Sequence, residues 1–527
     1  MKSALINYEK AGMLSPLTRD YLKGENKLSE FYTFKPDLNG IQSAFEQRLK
    51  NPVNREVLTK RLREDYQDVK TEKAVSRNIE LLSNEKTFTV TTGHQLNLFT
   101  GPLYFVWKIL SAVNLAKELK TQFPEYNFVP VYWPAGEDHD FEEVNHTHVH
   151  NKKYTWPSKQ TGALGRFTTD GLHSVFNELH ADLKTKLADI HLLDDLRECL
   201  SEKNYGRGIF QLVNKWFGQY GLVIVNSDHA DFKKEFIKTA ERDLTAGSAN
   251  ALIEKAAAKL DDLGYKKQIT PREINLFYLT ADSRNRIVKK ENTYFVEDTK
   301  LVFNKKEIIE ELHSHPERFS PNVALRPMYQ ETILPNIAYI GGDAEVAYWL
   351  QLKTAFEAYD VFYPAVLLRN SVLVLTEKAQ KKQHQLNLKL EDLFIGEHEL
   401  TKRVVIDSSD KILHFQKEKA ELQSVFAKIK RRMAQSDETL KSSAEAAEVK
   451  HLHYINNLEK KLLRAEKKKN KIIQERIKAL LTEIKPGGSL QERRENIFML
   501  YCEFGETIIE DVRQELNPLD YRLTVLQ

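Results

Sequence analysis

Cysteine is nearly missing from this 527-residue chain. Cys199 and Cys502 are the only two, and a single conceivable pairing is no disulfide framework for a protein of this size. A reducing compartment, the cytoplasm, is therefore expected. Excess charge is missing too: 78 basic against 75 acidic groups leave +3, so no protein-wide field gathers nucleic acid or anionic lipid. Charges interrupt every candidate membrane span, and residues 1–20 lack the apolar run of a signal peptide. Neither a GxxxxGK[ST] phosphate loop nor a GxGxxG dinucleotide fingerprint occurs, which removes the commonest nucleotide signatures. Glycine is absent between Gly396 and Gly487, and after residue 375 no proline precedes Pro486.

What is there divides near residue 375. The chain is too long for one compact core, and 41% hydrophobic content with 26 Phe and 21 Tyr supplies ample surface to bury. Up to residue 375, short apolar runs bounded by Gly and Pro alternate with helical periodicity, the pattern of an α/β core around a largely parallel sheet. Candidate strands are residues 87–92 (TFTVTT), 128–133 (FVPVYW), 222–226 (LVIVN) and 366–369. The best-marked helix follows Gly101-Pro102, where Val106, Ile109, Leu110 and Val113 recur at helical spacing. Residues 265–305 mix β-branched and aromatic residues with turn signals and read as a small β-rich insertion.

Residues 376–527 read as a coiled-coil domain. Lys, Glu, Gln, Ala and Leu dominate, with Phe415, Leu422 and Ile429 at intervals of seven and Val425 between them. Ile455, Leu458, Leu462, Ala465 and Ile472 continue a three-four rhythm before Ile473, Ile477, Leu480 and Ile484 shift its phase. An antiparallel hairpin turning within residues 436–443 is expected, with the basic stretch 467–471 on its flank as a solvated face. A last helix over residues 493–516 should close against the core.

Three motifs carry chemistry. Thr92-Gly93-His94-Gln95, followed by Phe99-Thr100-Gly101-Pro102, falls where a strand ends and a helix begins, the place where free backbone N–H groups attract anions. His94 could stabilise charge there or serve as an acid; the plain alternative is a structural histidine in an ordinary turn. The second, Gly136-Glu137-Asp138-His139-Asp140-Phe141-Glu142-Glu143-Val144-Asn145-His146, crowds carboxylates and imidazoles at the next strand's end, where they can bind a cation, recognise an amine or move protons. His146, His148 and His150 alternate and would share one face of a half-exposed strand, or ligate a metal. The third runs from Ser320-Pro321-Asn322 through Arg326-Pro327 to Gly341-Gly342-Asp343-Ala344-Glu345, where Arg326 could clamp a carboxylate and Asp343 or Glu345 hold an amine, with capping and an ion pair as the structural alternative.

The strings TGHQLNLFTGPLYFVWK, VPVYWPAGEDHDFEEVNH and SPNVALRPMYQETILPNIAYIGGDAEVAYW, followed by the coiled coil, together resemble the cysteine-adding enzymes of bacillithiol biosynthesis over essentially the whole chain. The resemblance implies a Rossmann-like core with inserted connecting segments, similar to class I aminoacyl-tRNA synthetases, and a coiled coil that helps form a homodimer. It also implies a ligase that attaches cysteine to glucosaminyl-malate, completing a low-molecular-weight thiol. No clear HIGH-type or KMSKS-type sequence is present. Since a carboxylate does not condense with an amine unaided in water, adenylation by ATP is the natural route, with the consumption of ATP and any metal left open. His94, Asp138, His139 and Asp140 are then the catalytic candidates, and Gly93, Gln95, Asn97, Arg326 and Asp343 the substrate-binding ones. Two other classes stay in play: a synthetase-like nucleic-acid-associated protein, which the balanced charge opposes, and a scaffold built on the coiled coil, which leaves GEDHD unexplained.

Overall fold

A computed structural model describes residues 2–186, 191–407, 414–469 and 471–527. Residues 408–413 of the expected hairpin domain and Asn470 of the basic stretch lie outside the described residues. The chain forms two compact units, residues 1–374 with 489–526, and residues 375–488 with Gln527.

The first unit is organised by five parallel strands, in spatial order Ala365–Leu368, Asn336–Gly341, Thr87–His94, Asn127–Pro134 and Val223–Ile224. The sheet is covered on both faces, and its strands are accordingly apolar almost throughout. The threonines of Thr87–His94 are the exception. Thr89 and Thr91 satisfy their buried hydroxyls by donating to Asn336 Oδ1 at 3.2 and 2.8 Å, and Thr92 donates to Ile340 O at 2.9 Å. Each bond links neighbouring strands, so the polar side chains fix sheet register.

Helix Tyr104–Gln122 connects strands Thr87–His94 and Asn127–Pro134 and is buried from Phe105 to Ala116. Ala112, Leu115 and Leu119 meet Phe88, Val90, Phe128 and Ile337 from the sheet and Phe45 from helix Leu38–Arg48. Burying a side chain of this size contributes about 1.5–3 kcal/mol. The candidate strand at 222–226 shrinks to Val223–Ile224, since it lies at the sheet's edge and pairs only with Asn127–Pro134.

The β-rich insertion is an antiparallel sheet in the order Val302–Asn304, Thr293–Val296, Arg284–Lys290, Leu276–Leu279 and Phe319–Pro321. Its last strand comes from beyond residue 305, out of the third motif. A further sheet joins the two ends of the chain: Arg522–Leu526 pairs antiparallel with Ser3–Asn7 and parallel with Val372–Val374. The segment after the hairpin, residues 489–526, packs within the first unit. The expected single helix over 493–516 is three short ones, Gln491–Arg494, Ile497–Phe504 and Ile508–Glu515. Asn496 caps the second by accepting from Phe498 N at 3.1 Å, and Gly505 at φ 77° ends it.

In the second unit, helix Gln416–Ser436 turns through residues 437–439 into Leu440–Lys469, and Lys471–Ile484 follows. Lys419 pairs with Glu459 at 2.5 Å and Lys430 with Glu448 at 2.7 Å, a stepping in opposite directions that makes the hairpin antiparallel. The inward residue of the first helix is Phe426, 5.4 Å from the His451 ring, whereas the expected seam residues Val425 and Ile429 are exposed. The larger ring takes the contact, and the seam shifts by one residue.

Candidate active site

Read in chain order, the parallel strands run fifth, fourth, first, second, third. The order reverses between Thr87–His94 and Asn336–Gly341, and in such sheets a crevice opens beyond the carboxyl ends at that point. A cavity of about 1180 Å³ lies there. Gly93 and His94 reach it from one strand, Gly342, Asp343 and Glu345 from the other, and Asp138, His139 and Asp140 from the strand next along.

The turn at Gly93 is held from below. Lys108, the lone cation on the buried stretch of its helix, donates to Gly93 O and pairs with Glu345 Oε2 at 2.6 Å. Glu345 also accepts from Tyr339 Oη at 2.7 Å and from Gly342 N at 2.8 Å, so it caps helix Asp343–Ala358 while neutralising Lys108. A side chain at Gly341 would meet Glu345 Cβ at 2.8 Å, which requires glycine where the strand turns into this helix.

His94 packs against Tyr104 and Phe105, with ring centroids 5.2 and 5.6 Å away. Burial, aided by the Lys108 and Arg369 charges, pushes its pKa well below 6.5. Its imidazole is therefore neutral at pH 7, and the site offers a hydrogen-bonding ring rather than the charged acid the sequence allowed. Gln95 bridges to the second motif, donating to Asp138 Oδ2 at 3.2 Å and Glu143 Oε2 at 3.3 Å. Asn97 points elsewhere: it is buried outside the cavity lining against Gly101, and its carbonyl accepts from Tyr205 Oη at 2.7 Å.

Both oxygens of Asp138 are engaged. Its Oδ1 accepts from His139 N at 2.9 Å and its Oδ2 lies 3.4 Å from Arg326 Nη1. Burial alone would raise its pKa, but Arg326, Arg284, Gln95 and the His139 amide together hold it at about 2. Arg326, expected to clamp a ligand carboxylate, already has an internal one. Asp140 is exposed, with Oδ1 3.8 Å from His139 Nε2. The ligand atoms of Asp138, His139 and Asp140 lie within 4.8 Å of one another, and guanidinium groups lie against two of them, His139 Nδ1 and Asp138 Oδ2. Asp343 accepts from Ser15 N at 3.1 Å and Ser15 Oγ at 2.9 Å, tying the cavity wall to helix Pro16–Leu22 while still lining the cavity.

The alternating histidines divide. His146 and His148 share the half-buried face of strand His146–Val149, rings 5.6 Å apart, but His150 sits in the following turn at φ 50° and leaves that face.

Several supporting residues went unnoticed in the sequence. Lys233 forms a buried ion pair with Glu137 of the second motif and also donates to Phe319 O at 2.9 Å. Arg284 reaches His139 of that motif from the β-rich insertion. Arg369 lies over the Tyr104 ring at 5.3 Å and forms a two-point pair with Glu492, at 2.8 and 3.0 Å. Lysine inside an otherwise apolar helix was a usable signal for Lys108; Lys233, Arg369 and Glu492 carried none, because their partners are far away in sequence.

The matches with known families run the length of the chain. Residues 1–370 match "Bacillithiol biosynthesis BshC, N-terminal Rossmann-like domain", and residues 372–527 match "Bacillithiol biosynthesis BshC, C-terminal coiled-coil domain". The chain belongs to the BshC family. Relatives in Flavobacterium johnsoniae and Flavobacterium psychrophilum are each 40% identical, over 530 and 531 residues, covering 100% of both chains. One in Cytophaga hutchinsonii is 39% identical over 518 residues, covering 98% of this chain and 97% of its own. All three carry the name "Putative cysteine ligase BshC". BshC membership assigns the chain to bacillithiol biosynthesis and agrees with the Rossmann-like core and long-helix hairpin described above. Among the described residues no helix is long and apolar enough to cross a membrane.

Proposed function

We propose that the chain is the ligase that joins the cysteine carboxyl to the glucosamine amine of glucosaminyl-malate, the last step of bacillithiol formation. The observation that carries this reading is the meeting of two chemically different loops in one cavity. At one end a strand terminus with a neutral imidazole, Arg369 and Arg493 suits an anion; at the other, Asp138 and exposed Asp140 suit an amine. In the proposed reaction a cysteine carboxylate oxygen attacks the α-phosphorus of ATP and pyrophosphate leaves. The sugar amine then attacks the carbonyl carbon, AMP departs with the C–O electron pair, and the nitrogen gives up one proton. Gly93, His94 and Gln95 serve the anionic end, Arg326 keeps Asp138 charged, and Asp343 shapes the wall. Both cysteines of the chain are unpaired, which suits a cytoplasmic setting.

Two measurements test this. Purified protein given cysteine, glucosaminyl-malate and ATP should yield bacillithiol by mass spectrometry. Deleting the gene in its host should abolish bacillithiol and accumulate glucosaminyl-malate; a deletant with normal thiol would refute the assignment.

We further propose that the hairpin pairs two copies of the chain. Val425, Val449, Tyr454, Leu458 and Ile472 are between 50% and 67% exposed on its helices, more apolar surface than a lone hairpin keeps in water without cost. Light scattering should show the mass of a dimer for the natural protein and of a monomer for Val449→Glu/Leu458→Glu. An unchanged mass in that variant would place the contact elsewhere.

A further inference from the structure

His139 is the one imidazole in the GEDHD loop, and what it can do depends on which ring nitrogen holds the proton. Three elements decide that. From its own loop, Asp138 Oδ1 lies 4.0 Å from Nδ1 and Asp140 Oδ1 3.8 Å from Nε2. From strand Leu276–Leu279 of the insertion, the Phe277 ring packs on the imidazole at 5.3 Å. From strand Arg284–Lys290, Arg284 Nη1 lies 2.9 Å from His139 Nδ1, with Arg286 two residues along the same strand.

Arg284 is not a mobile surface cation that happens to lie close. Its Nε donates to Ser320 Oγ at 3.0 Å and its Nη2 to Pro321 O at 2.9 Å, and its guanidinium stacks over Phe277 at 4.0 Å. The residue is 6% exposed. Every other polar contact is thus to a backbone or side chain of the insertion itself, leaving Nη1 aimed at the imidazole. A guanidinium has donors and no acceptor, and it stays protonated throughout the working range of an enzyme. The contact at Nδ1 is therefore possible only when that nitrogen carries a lone pair.

We propose that Arg284 is a positioning residue that locks His139 in the neutral tautomer with its proton on Nε2, so that the imidazole faces the cavity as a hydrogen-bond donor and not as a base. Protonation of Nδ1 would set N–H against N–H, and rotation of the ring is opposed by its contact with the tilted Phe277 ring. Burial and the charges of Arg284 and Arg286 outweigh Asp138 and Asp140 and lower the His139 pKa, in keeping with a neutral ring. Arg326 adds to this by occupying Asp138, whose carboxylate would otherwise favour an imidazolium. The β-rich insertion thus acts through Arg284 on the chemistry of a loop outside itself. For the ligase reading, on which this consequence rests, His139 Nε2–H is suited to the oxygen of the reacting carboxyl group, and Asp140 is the acceptor left for the amine.

The test is the proton itself. In protein labelled with ¹⁵N-histidine, long-range ¹H–¹⁵N correlation should give His139, identified by the signals lost in His139→Phe, a protonated Nε2 and an unprotonated Nδ1. That pattern should persist below the pH at which exposed histidines of the same protein have become cations. Arg284→Met should let His139 protonate at higher pH, lower kcat about 10²-fold through misplacement of the ring, and move the acid limb of the kcat profile upward. Arg284→Gln, whose amide N–H can still donate to Nδ1, should restore the tautomer and part of kcat. A proton on Nδ1, or a cationic His139 at neutral pH in the natural protein, overturns the inference, and this measurement needs no variant to fold. If no cysteine is transferred to glucosaminyl-malate, the ligase reading fails while the tautomer result stands.

Discussion

Replacing Asp138 by Asn should lower kcat/KM about 10²–10⁴-fold while leaving a folded protein. The size of the side chain is kept and its charge is not, so the two outcomes separate a functional carboxylate from a structural one. Both oxygens are in use: Oδ1 accepts from His139 N at 2.9 Å and Oδ2 from Gln95 at 3.2 Å beside Arg326. An amide can satisfy one of these and must turn an N–H toward the other. The same electrostatics set the scale of the stability change. Because the folded-state pKa is depressed from 3.8 to about 2, the carboxylate contributes stability that is fully present above the unfolded value and is lost as pH falls through about 2. At neutral pH the charge is worth about 2–3 kcal/mol, a loss that a folded domain with about 5–15 kcal/mol in hand survives. Thiol formation measured beside thermal unfolding decides the matter. An Asp138→Asn protein with full activity removes the loop from the reaction, and one that unfolds outright makes Asp138 a structural residue.

How much of this was legible beforehand depends on the range of the interactions. Strands Thr87–His94 and Asn127–Pro134 are buried on both faces and end in Gly-His or Pro-Ala-Gly, so their run of apolar residues and its stop are both written locally, whereas Asn336–Gly341, equally buried, was not among the candidate strands. The hairpin turn at 437–439 was equally local, marked by the loss of the apolar rhythm. The edge strand Val223–Ile224 was legible as a short apolar run; the closing strand Arg522–Leu526 was not, because its pairing with Ser3–Asn7 involves residues at opposite ends of the chain. In the hairpin, periodicity gave two helices but not which of Val425 and Phe426 faces inward, since both fit a three-four spacing and only side-chain volume separates them.

The cavity shows the same division. Gly93, His94, Gln95 and Asp138 to Asp140 stood out because polar and glycine residues follow directly on apolar strands, and parallel neighbours bring their loops to one side. Asn97 sits in the same string and yet turns into the interior, because Gly101 closes over its side chain. Arg284 was invisible for the opposite reason. It lies on a strand with Arg286, Lys289 and Lys290, which reads as a solvated face until the fold shows that the first of them is buried.

Replacing Glu492 by Leu should destabilise the first unit by about 3–5 kcal/mol, the largest single effect on stability expected outside the apolar core. Arg369 and Glu492 have side chains 6% and 2% exposed, joined at two points, and Glu492 also accepts from Val372 N at 3.1 Å. Removing the carboxylate leaves a guanidinium with little water around it and a backbone N–H without its acceptor. All five tryptophans, at 107, 133, 156, 216 and 349, belong to the first unit, so urea unfolding followed by tryptophan emission reports on that unit alone. The double replacement Arg369→Met/Glu492→Leu should recover most of the loss, because the isolated charge is gone. It should not recover activity, since Arg369 lines the cavity beside His94 and an anionic substrate would meet a methionine there. A single variant costing less than about 1 kcal/mol would mean that the pair is hydrated and weak, as exposed pairs are. A double variant that is stable and fully active would make Arg369 a structural residue only, and would move the anionic end of the cavity to Arg493 and the Gly93 turn.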